Sequence, residues 1–356
     1  MDRRTFLRAT AITGAACLLD WQEAFARGTE DKWVGKPWRG WKKGQFQVHF
    51  IYTGVGENMF FIFPDATTML LDCGDHNAIG RGKLAVPVLP NPDRHAGEWV
   101  ARYVERVNPH GRDVVYMMLL HYHNDHGGCA TFYASKEMRN GKEYALSGFS
   151  QAAERLNFKK AFDRGWPDFN DPIPMDAMKK HTNIEHMCRF YDYMIKERGM
   201  TVEKFRLGAK DQIVMCHKPA SYGDFGVWNL CGNGRMVTPE GQVIDLYEER
   251  KKGNPTALNE NGMSLGMIFK YGPFRFFTAG DFSDRMKQPD GSVYDIEERL
   301  AEVCGAVNVA KINHHGHYSM PAKLISALRA NVYVSCVWDQ LHNVAPVMER
   351  LSDRSL

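Results

Sequence analysis

The sequence predicts an α+β fold whose strands deliver metal-binding side chains to a common edge. Three observations lead there. Short apolar runs rich in Val, Ile, Phe and Tyr recur in the first and last thirds of the chain, as strands require. Amphipathic stretches with helical spacing separate several of these runs. Four runs end in Asp or His and then break at a glycine or turn, which is where open sheets hold their ligands.

The elements follow in chain order. Trp33 to Lys43 is an aromatic and basic lead-in loop. Phe46 to Tyr52 reads as a strand, Gly54-Val55-Gly56-Glu57-Asn58 as a turn, and Met59 to Phe63 and Met69-Leu70-Leu71 as two further strands, so antiparallel hairpins open the fold. The third strand ends in Asp72-Cys73-Gly74-Asp75. Glu98 to Val107 places Trp99, Val100, Tyr103, Val104 and Val107 on one helical face and is stopped by Pro109 and Gly111. Val114 to Leu120 is apolar throughout and reads as a buried strand. From about 141 to 255 strand rhythm is weak, and the stretch is expected to be a partly helical insertion, its core-facing stripe formed by Ile184, Met187, Cys188, Tyr191, Met194 and Ile195. The rhythm returns with a hairpin, Met263 to Lys270 and Phe274 to Thr278, running into Gly280-Asp281. A helix over 296–303, a strand over 308–312 ending in His314-His315-Gly316-His317, a helix over 322–328, a strand over 332–336 and a helix over 344–351 complete the chain.

The chemistry concentrates after the buried strand, where residues 121–126 read His-Tyr-His-Asn-Asp-His. Imidazole and carboxylate are the side chains that hold a borderline divalent metal. Alternation in His121-x-His123 lets two rings point one way, while Asp125 and His126 turn toward a second point nearby. Asp72 with Asp75, Asp281 and His315 stand at the ends of other strands.

His121-x-His123-x-Asp125-His126 resembles the signature of the metallo-β-lactamase fold superfamily. The order of strand ends also matches it over roughly 45 to 340: Asp72, then the cluster, then Asp281, then His315. In detail the chain is similar to the branch that contains the hydrolase domain of DNA-uptake competence proteins. The features shared with that branch are the turn at 54–58, Asn261-Gly262-Met263-Ser264-Leu265, Thr278-Ala279-Gly280-Asp281 and His314-His315-Gly316. The resemblance implies a four-layer αβ/βα sandwich and two divalent metal ions, zinc first and manganese as the alternative. It implies that His121 and His123 hold the first metal, that Asp125, His126 and His315 hold the second, and that Asp281 bridges them. Asp72 is expected to orient a ligand from behind.

The chain departs from that pattern at the third ligand of the first metal. Where lactamase-like members carry a histidine, this sequence reads Asn259-Glu260-Asn261-Gly262, and Asn259 is a doubtful substitute. His181, His186 and His217, from the expected insertion, are the other candidates. The resemblance implies a hydroxide nucleophile generated between the metals. Asp125 would align it and take its proton, and His317 or Tyr318 would protonate the leaving group.

The chain has 356 residues, 44% of them hydrophobic, and a net charge of +3, so no global field points to nucleic acid or membrane. No apolar stretch reaches the ~20 residues of a membrane span. Arg3-Arg4-Thr5-Phe6-Leu7-Arg8, a mildly apolar stretch from Ala9 to Leu19 and then Ala24-Phe25-Ala26 resemble a twin-arginine signal over 1–26. A domain over 27–356 would then act in the periplasm or outside the cell, after passing the twin-arginine machinery folded and metal-loaded. Of eight cysteines, the seven after Cys17 are widely spaced with no C-x-x-C pair, and an odd count leaves at least one unbridged within the chain. The function expected is an exported dinuclear hydrolase of phosphoesters or phosphodiesters, its substrate a small-molecule, envelope or nucleic-acid ester. The alternatives are a lactam, lactone or thioester hydrolase and, in another class, a non-catalytic binding protein with a degenerate metal site.

Overall fold

The computed structural model describes residues 36–76, 87–128, 144–174, 184–250, 258–287, 293–353 and 355–356. The expected export signal over 1–26, with Arg3 and Arg4, and also Cys129 and His181 lie outside the described residues. Trp41–Leu356 forms one compact unit, and of the other, Met1–Gly40, only 36–40 are described.

Two mixed sheets form the centre of the larger unit. The first, in spatial order, is β1 (Gln47–Phe50), β2 (Asn58–Ile62), β3 (Thr68–Cys73), β4 (Asp113–Met118), β5 (Asn157–Asp163) and β6 (Thr201–Lys204). Its first three strands are antiparallel and its last three join in parallel. Parallel pairing needs a crossover. Helix α1 (Ala96–Val107) supplies it between β3 and β4. The short turns α2 (Asn124–Gly127) and α3 (Phe149–Ala152) lie between β4 and β5, and α4 (Ile184–Arg198) lies between β5 and β6. The second sheet continues with β7 (Phe225–Gly232), β8 (Arg235–Val237), β9 (Val243–Asp245), helix α5 (Leu246–Arg250), β10 (Gly266–Tyr271) and β11 (Phe274–Thr278). A separate two-stranded ribbon, β12 (Arg285–Lys287) with β13 (Val293–Asp295), precedes α6 (Glu297–Leu300), β14 (Val309–Lys311), α7 (Ala322–Leu328), β15 (Val332–Val334) and α8 (Ala345–Ser352). The order across this sheet is β15-β14-β11-β10-β7-β8-β9.

Strand β2 shows why the layers stack as they do. All five of its residues are buried, and after Asn58 it reads as a continuous apolar run rather than an alternating one. Its side chains nonetheless divide by parity. Phe60 and Ile62 join the cluster that holds Val100 and Val104 of α1, while Met59 and Phe61 join Met267 and Phe269 of β10. The Phe61 and Phe269 rings stack at 4.7 Å between the sheets. On the far side Phe277 and Ala310 share a cluster with Leu324 and Leu328 of α7. Helices outside, two sheets inside: this is the four-layer α+β sandwich that the sequence predicts.

The stretch 141–255 is a correction. It holds the expected helix, with Ile184, Met187, Tyr191 and Met194 buried, but also β5 to β9, which extend both sheets. Its strand pattern is weak for a physical reason. Strand β5 reads Asn-Phe-Lys-Lys-Ala-Phe-Asp with Lys160 tied to Glu203 of β6 at 2.6 Å, so lysines break the apolar run although their strand is interior. Among the described residues no helix is long and apolar enough to cross a membrane. The six described cysteines are all unbridged.

Candidate metal centre

Four strand ends meet at one place. Gly74, just past β3, lies so close to the Asp125 carbonyl that a side chain at 74 would collide with it, and a side chain at Gly56 would press on Gly74 and on the same carbonyl. The Glu57 N–H donates to that same carbonyl at 2.8 Å, which fixes the loop after β4 against the hairpin. Asp72 adopts a left-handed φ of 58° at the end of β3. This turns its carboxylate onto two donors: Leu120 N–H at 2.8 Å and His126 Nδ1 at 2.6 Å. With Nδ1 engaged, His126 directs Nε2 at Asp281 Oδ1, 3.2 Å away.

His315 is aimed by the backbone. His314 and His315 both lie in the left-handed region, with φ of 47° and 53°, a conformation costing of order 1–3 kcal/mol per residue. The His315 ring gives Nδ1–H to the Cys336 carbonyl at 2.8 Å. Its Nε2 faces Asp125 Oδ2 at 3.0 Å and Asp281 Oδ2 at 3.3 Å. On the other flank, His121 Nε2 lies 3.0 Å from His123 Nδ1 and 3.9 Å from Asp281 Oδ2. The structure therefore gathers His121, His123, Asp125, His126 and His315 around Asp281, with Asp72 behind His126.

The chemistry of this donor set fits a cation. Ligand atoms of Glu57, His126, Asp281 and His315 lie within 4.8 Å of one another, all buried. Glu57, however, stands on the wrong side of His315, facing Nδ1 at 3.6 Å, and is paired with Lys311 Nζ at 2.6 Å. Asp125 sits on the Nε2 side and is the better fourth donor. His126 Nε2 and Asp281 Oδ1 are buried and, though 3.2 Å apart, neither makes a hydrogen bond, an arrangement that a bound cation relieves.

Electrostatics agree. Burial opposes charge on His126 and His315, yet neighbouring carboxylates, Asp281 foremost, hold His126 well above its ordinary pKa and raise His315 to about 9. Burial likewise opposes ionisation of Asp281 and Asp125, but His126 and His315 hold both carboxyls well below the usual range. Burial and the nearby His126 and His123 push His121 well below an ordinary histidine, toward its neutral, ligating form. Asp72, fully enclosed, is raised to about 6.

The cleft above these residues has a volume of about 360 Å³ and is lined by His76, His123, Asn124, Asp125, Asn261, Asp281, His314, His315, His317, Trp338, Leu341 and His342. A larger groove of about 550 Å³, around Trp228, Lys270 and Arg275, contains none of the strand-end residues. His317 lines the cleft and gives Nδ1 to the Leu341 carbonyl at 3.1 Å, so its neutral ring presents an acceptor nitrogen and donates there only when protonated. Tyr318 is exposed and not among the lining residues.

The doubtful candidates sort cleanly. Asn259 is exposed and its Oδ1 accepts from Gly262 N–H at 3.0 Å, so it shapes a turn instead of facing the cleft. His186 is buried near Tyr144, and His217 lies against His110; neither reaches the cleft. Sequence reading misses Glu57, Lys311, Trp338, His342 and Asn261. Trp338 Nε1 donates to Asp125 Oδ2 at 3.1 Å, and His342 stacks on His315 at 4.6 Å. Lys311 carries a legible signal, a cation inside an otherwise apolar strand. Trp338 does too, since it follows a strand end as the ligands do.

No family model matches the chain, and no curated protein matches it. Among solved structures it is similar to CmlA, a diiron beta-hydroxylase from Streptomyces venezuelae, at 12% identity and a TM-score of 0.41 over 88% of this chain and 50% of that one. It thus spans about half the length of CmlA. It is similar to unliganded yeast PDE1 at 12% identity and a TM-score of 0.38, over 86% of this chain and 92% of that one. A metallo-beta-lactamase from Staphylococcus aureus matches at 10% identity and a TM-score of 0.31, over 68% of this chain and 45% of that one. These are likenesses of backbone path, and what the residues can do rests on the distances above.

Proposed function

We propose that the chain is an exported, dinuclear metal-dependent hydrolase of small phosphoesters or phosphodiesters. The observation that supports it most is the convergence of three histidines on the buried Asp281, with Asp125 beside His315 and with no hydrogen bond made by His126 Nε2 or Asp281 Oδ1. His121 and His123 would hold one cation, Asp125, His126 and His315 the other, and Asp281 both. Bound divalent cations, zinc or manganese, supply an activated water and a Lewis acid for the scissile ester.

The chain's own residues do the rest. Asp125, its Oδ2 fixed by Trp338 Nε1–H, is placed to orient the attacking water and accept its proton. Asp72 fixes the His126 ring, and Cys336 fixes that of His315. Among the described residues no Lys or Arg lines the cleft, and its polar lining there is imidazole, carboxylate and amide. A cleft of about 360 Å³ favours a small ester over a bulk polymer.

Export through the twin-arginine machinery, with action in the periplasm or beyond, is part of the proposal and rests on Arg3-Arg4 and the Ala24-Phe25-Ala26 box. Cell fractionation of a variant with both arginines changed to lysine tests it: the variant is expected to stay in the cytoplasm, and unimpaired export would refute this part. For the activity, purified protein is expected to hold near two equivalents of zinc or manganese and to turn over bis-p-nitrophenyl phosphate or p-nitrophenyl phosphorylcholine. Turnover of nitrocefin or a homoserine lactone alone would instead select the lactam or lactone reading. Asp281→Ala and His123→Ala should each abolish activity, and full turnover by both would sink the site.

A further inference from the structure

On the dinuclear reading the first metal position lacks its third histidine, and a different oxygen donor lines the same cleft. Asn261 is 7% exposed, lines the cleft with His123 and Asp281, and its Oδ1 is buried without a hydrogen-bond partner. Two features hold it there. Glu260, the preceding residue, accepts the Tyr122 N–H at 2.9 Å and is clamped by Arg164 Nε and Nη2 at 2.9 Å and 2.6 Å. That N–H lies between His121 and His123 in the chain, so the Asn261 backbone is tied to the two ligands it would complete. The amide is also turned: Asn261 Nδ2 donates to His314 Nε2 at 3.2 Å, and His314 Nδ1 meets Ser283 Oγ at 2.9 Å. A neutral His314 that accepts at Nε2 carries its proton on Nδ1 and gives it to Ser283. With Nδ2 committed to that relay, Oδ1 is the atom left for the cleft.

We propose that Asn261 Oδ1 completes the first metal position beside His121, His123 and the shared Asp281, with Ser283 setting the amide through His314. The proposal rests on the dinuclear reading above and gives that reading an asymmetry. The first position has three neutral ligands and a shared carboxylate, whereas the second has Asp125 to itself. The first is therefore the weaker, and its amide oxygen favours a harder cation than a third imidazole would.

The test is a calorimetric titration of the metal-stripped full chain with Zn²⁺ and with Mn²⁺, alongside the visible spectrum of the Co²⁺ form. Wild type is expected to bind two equivalents in two steps. Asn261→Ala should weaken the weaker step at least about tenfold and spare the tighter one, and Ser283→Ala should weaken it several-fold, as outer partners of ligands do. Asn261→His should tighten the weaker step for Zn²⁺ and intensify the Co²⁺ bands. Should the alanine variant fail to fold, the histidine and serine variants still decide the matter. Two unchanged steps in the Asn261 variants would overturn the Asn261 assignment and leave the two-metal reading standing. A wild type that binds no more than one equivalent would overturn both.

Discussion

Lys311 Nζ lies 2.6 Å from Glu57 Oε2 and 3.6 Å from Asp281 Oδ1, with all three side chains shut off from solvent. The ammonium also donates to the Gly280 carbonyl at 2.8 Å. Burial works against its charge, but Glu57 and then Asp281 outweigh that and raise its pKa. The pair therefore pins the base of the candidate metal centre, joining the turn before β2, the end of β11 and β14.

Removing one half of that pair strands the other. Lys311→Met should destabilise the fold by about 3–5 kcal/mol, because the Glu57 carboxylate is left buried and unpaired. Adding Glu57→Leu should restore much of the loss. Denaturant unfolding of both singles and the double checks this, and additive losses would show that the two residues do not act as a pair.

Asp72→Asn leaves one acceptor oxygen for two donors, Leu120 N–H and His126 Nδ1–H, and turns an NH2 toward one of them, so the hold on His126 is weakened. Metal affinity is expected to fall about 10–100-fold with the fold retained, measured by competition with a chelating dye. Unchanged affinity would remove Asp72 from the site.

Proton competition sets the pH dependence of metal uptake. With His315 raised to about 9 and His126 also raised, the metal-free centre holds protons at neutral pH that a cation must displace. Affinity should rise between pH 6 and about 9, with proton release on binding that shrinks as pH rises. Calorimetry in buffers of different ionisation enthalpy reads that release directly, and a pH-independent affinity contradicts the ligand set.

Glu297 titrates in the opposite sense to an ordinary surface acid. Burial, then the nearby Asp295, raises it from 4.5 to about 8, though Asn313 Nδ2 and the Met320 N–H donate to it. Between those two pH values the folded chain binds the extra proton, so stability falls as pH climbs through the window and is recovered on acidification. Glu297→Gln should flatten that slope and raise stability at pH 7 by on the order of 3 kcal/mol. Thermal unfolding from pH 5 to 8 checks it; a variant as pH-sensitive as wild type would place the slope elsewhere.

The candidate site was largely legible in the sequence because its ligands follow a local rule. Each apolar strand is followed within a few residues by polar ligands, and the spacing of His121 and His123 in the loop just past β4 already suggests a shared side. Asp72, Asp125, His126, Asp281 and His315 follow from the same rule, and the structure brings them together. The hairpins and flanking helices were legible for the same reason, as periodicity is a property of neighbours in the chain. The five strands within 141–255 were not, since lysines interrupt β5 and its place in the sheet depends on partners from elsewhere. Nor could the sequence choose between Asn259 and Asn261. They are two residues apart in one turn, yet one caps the Gly262 N–H and the other enters the cleft, a difference fixed by the Glu260 clamp on Tyr122 and Arg164. Glu57 with Lys311, and Trp338 with Asp125, are likewise decided only by tertiary packing. Each pairs residues far apart in the chain, and no local pattern records which distant charge a buried group will meet.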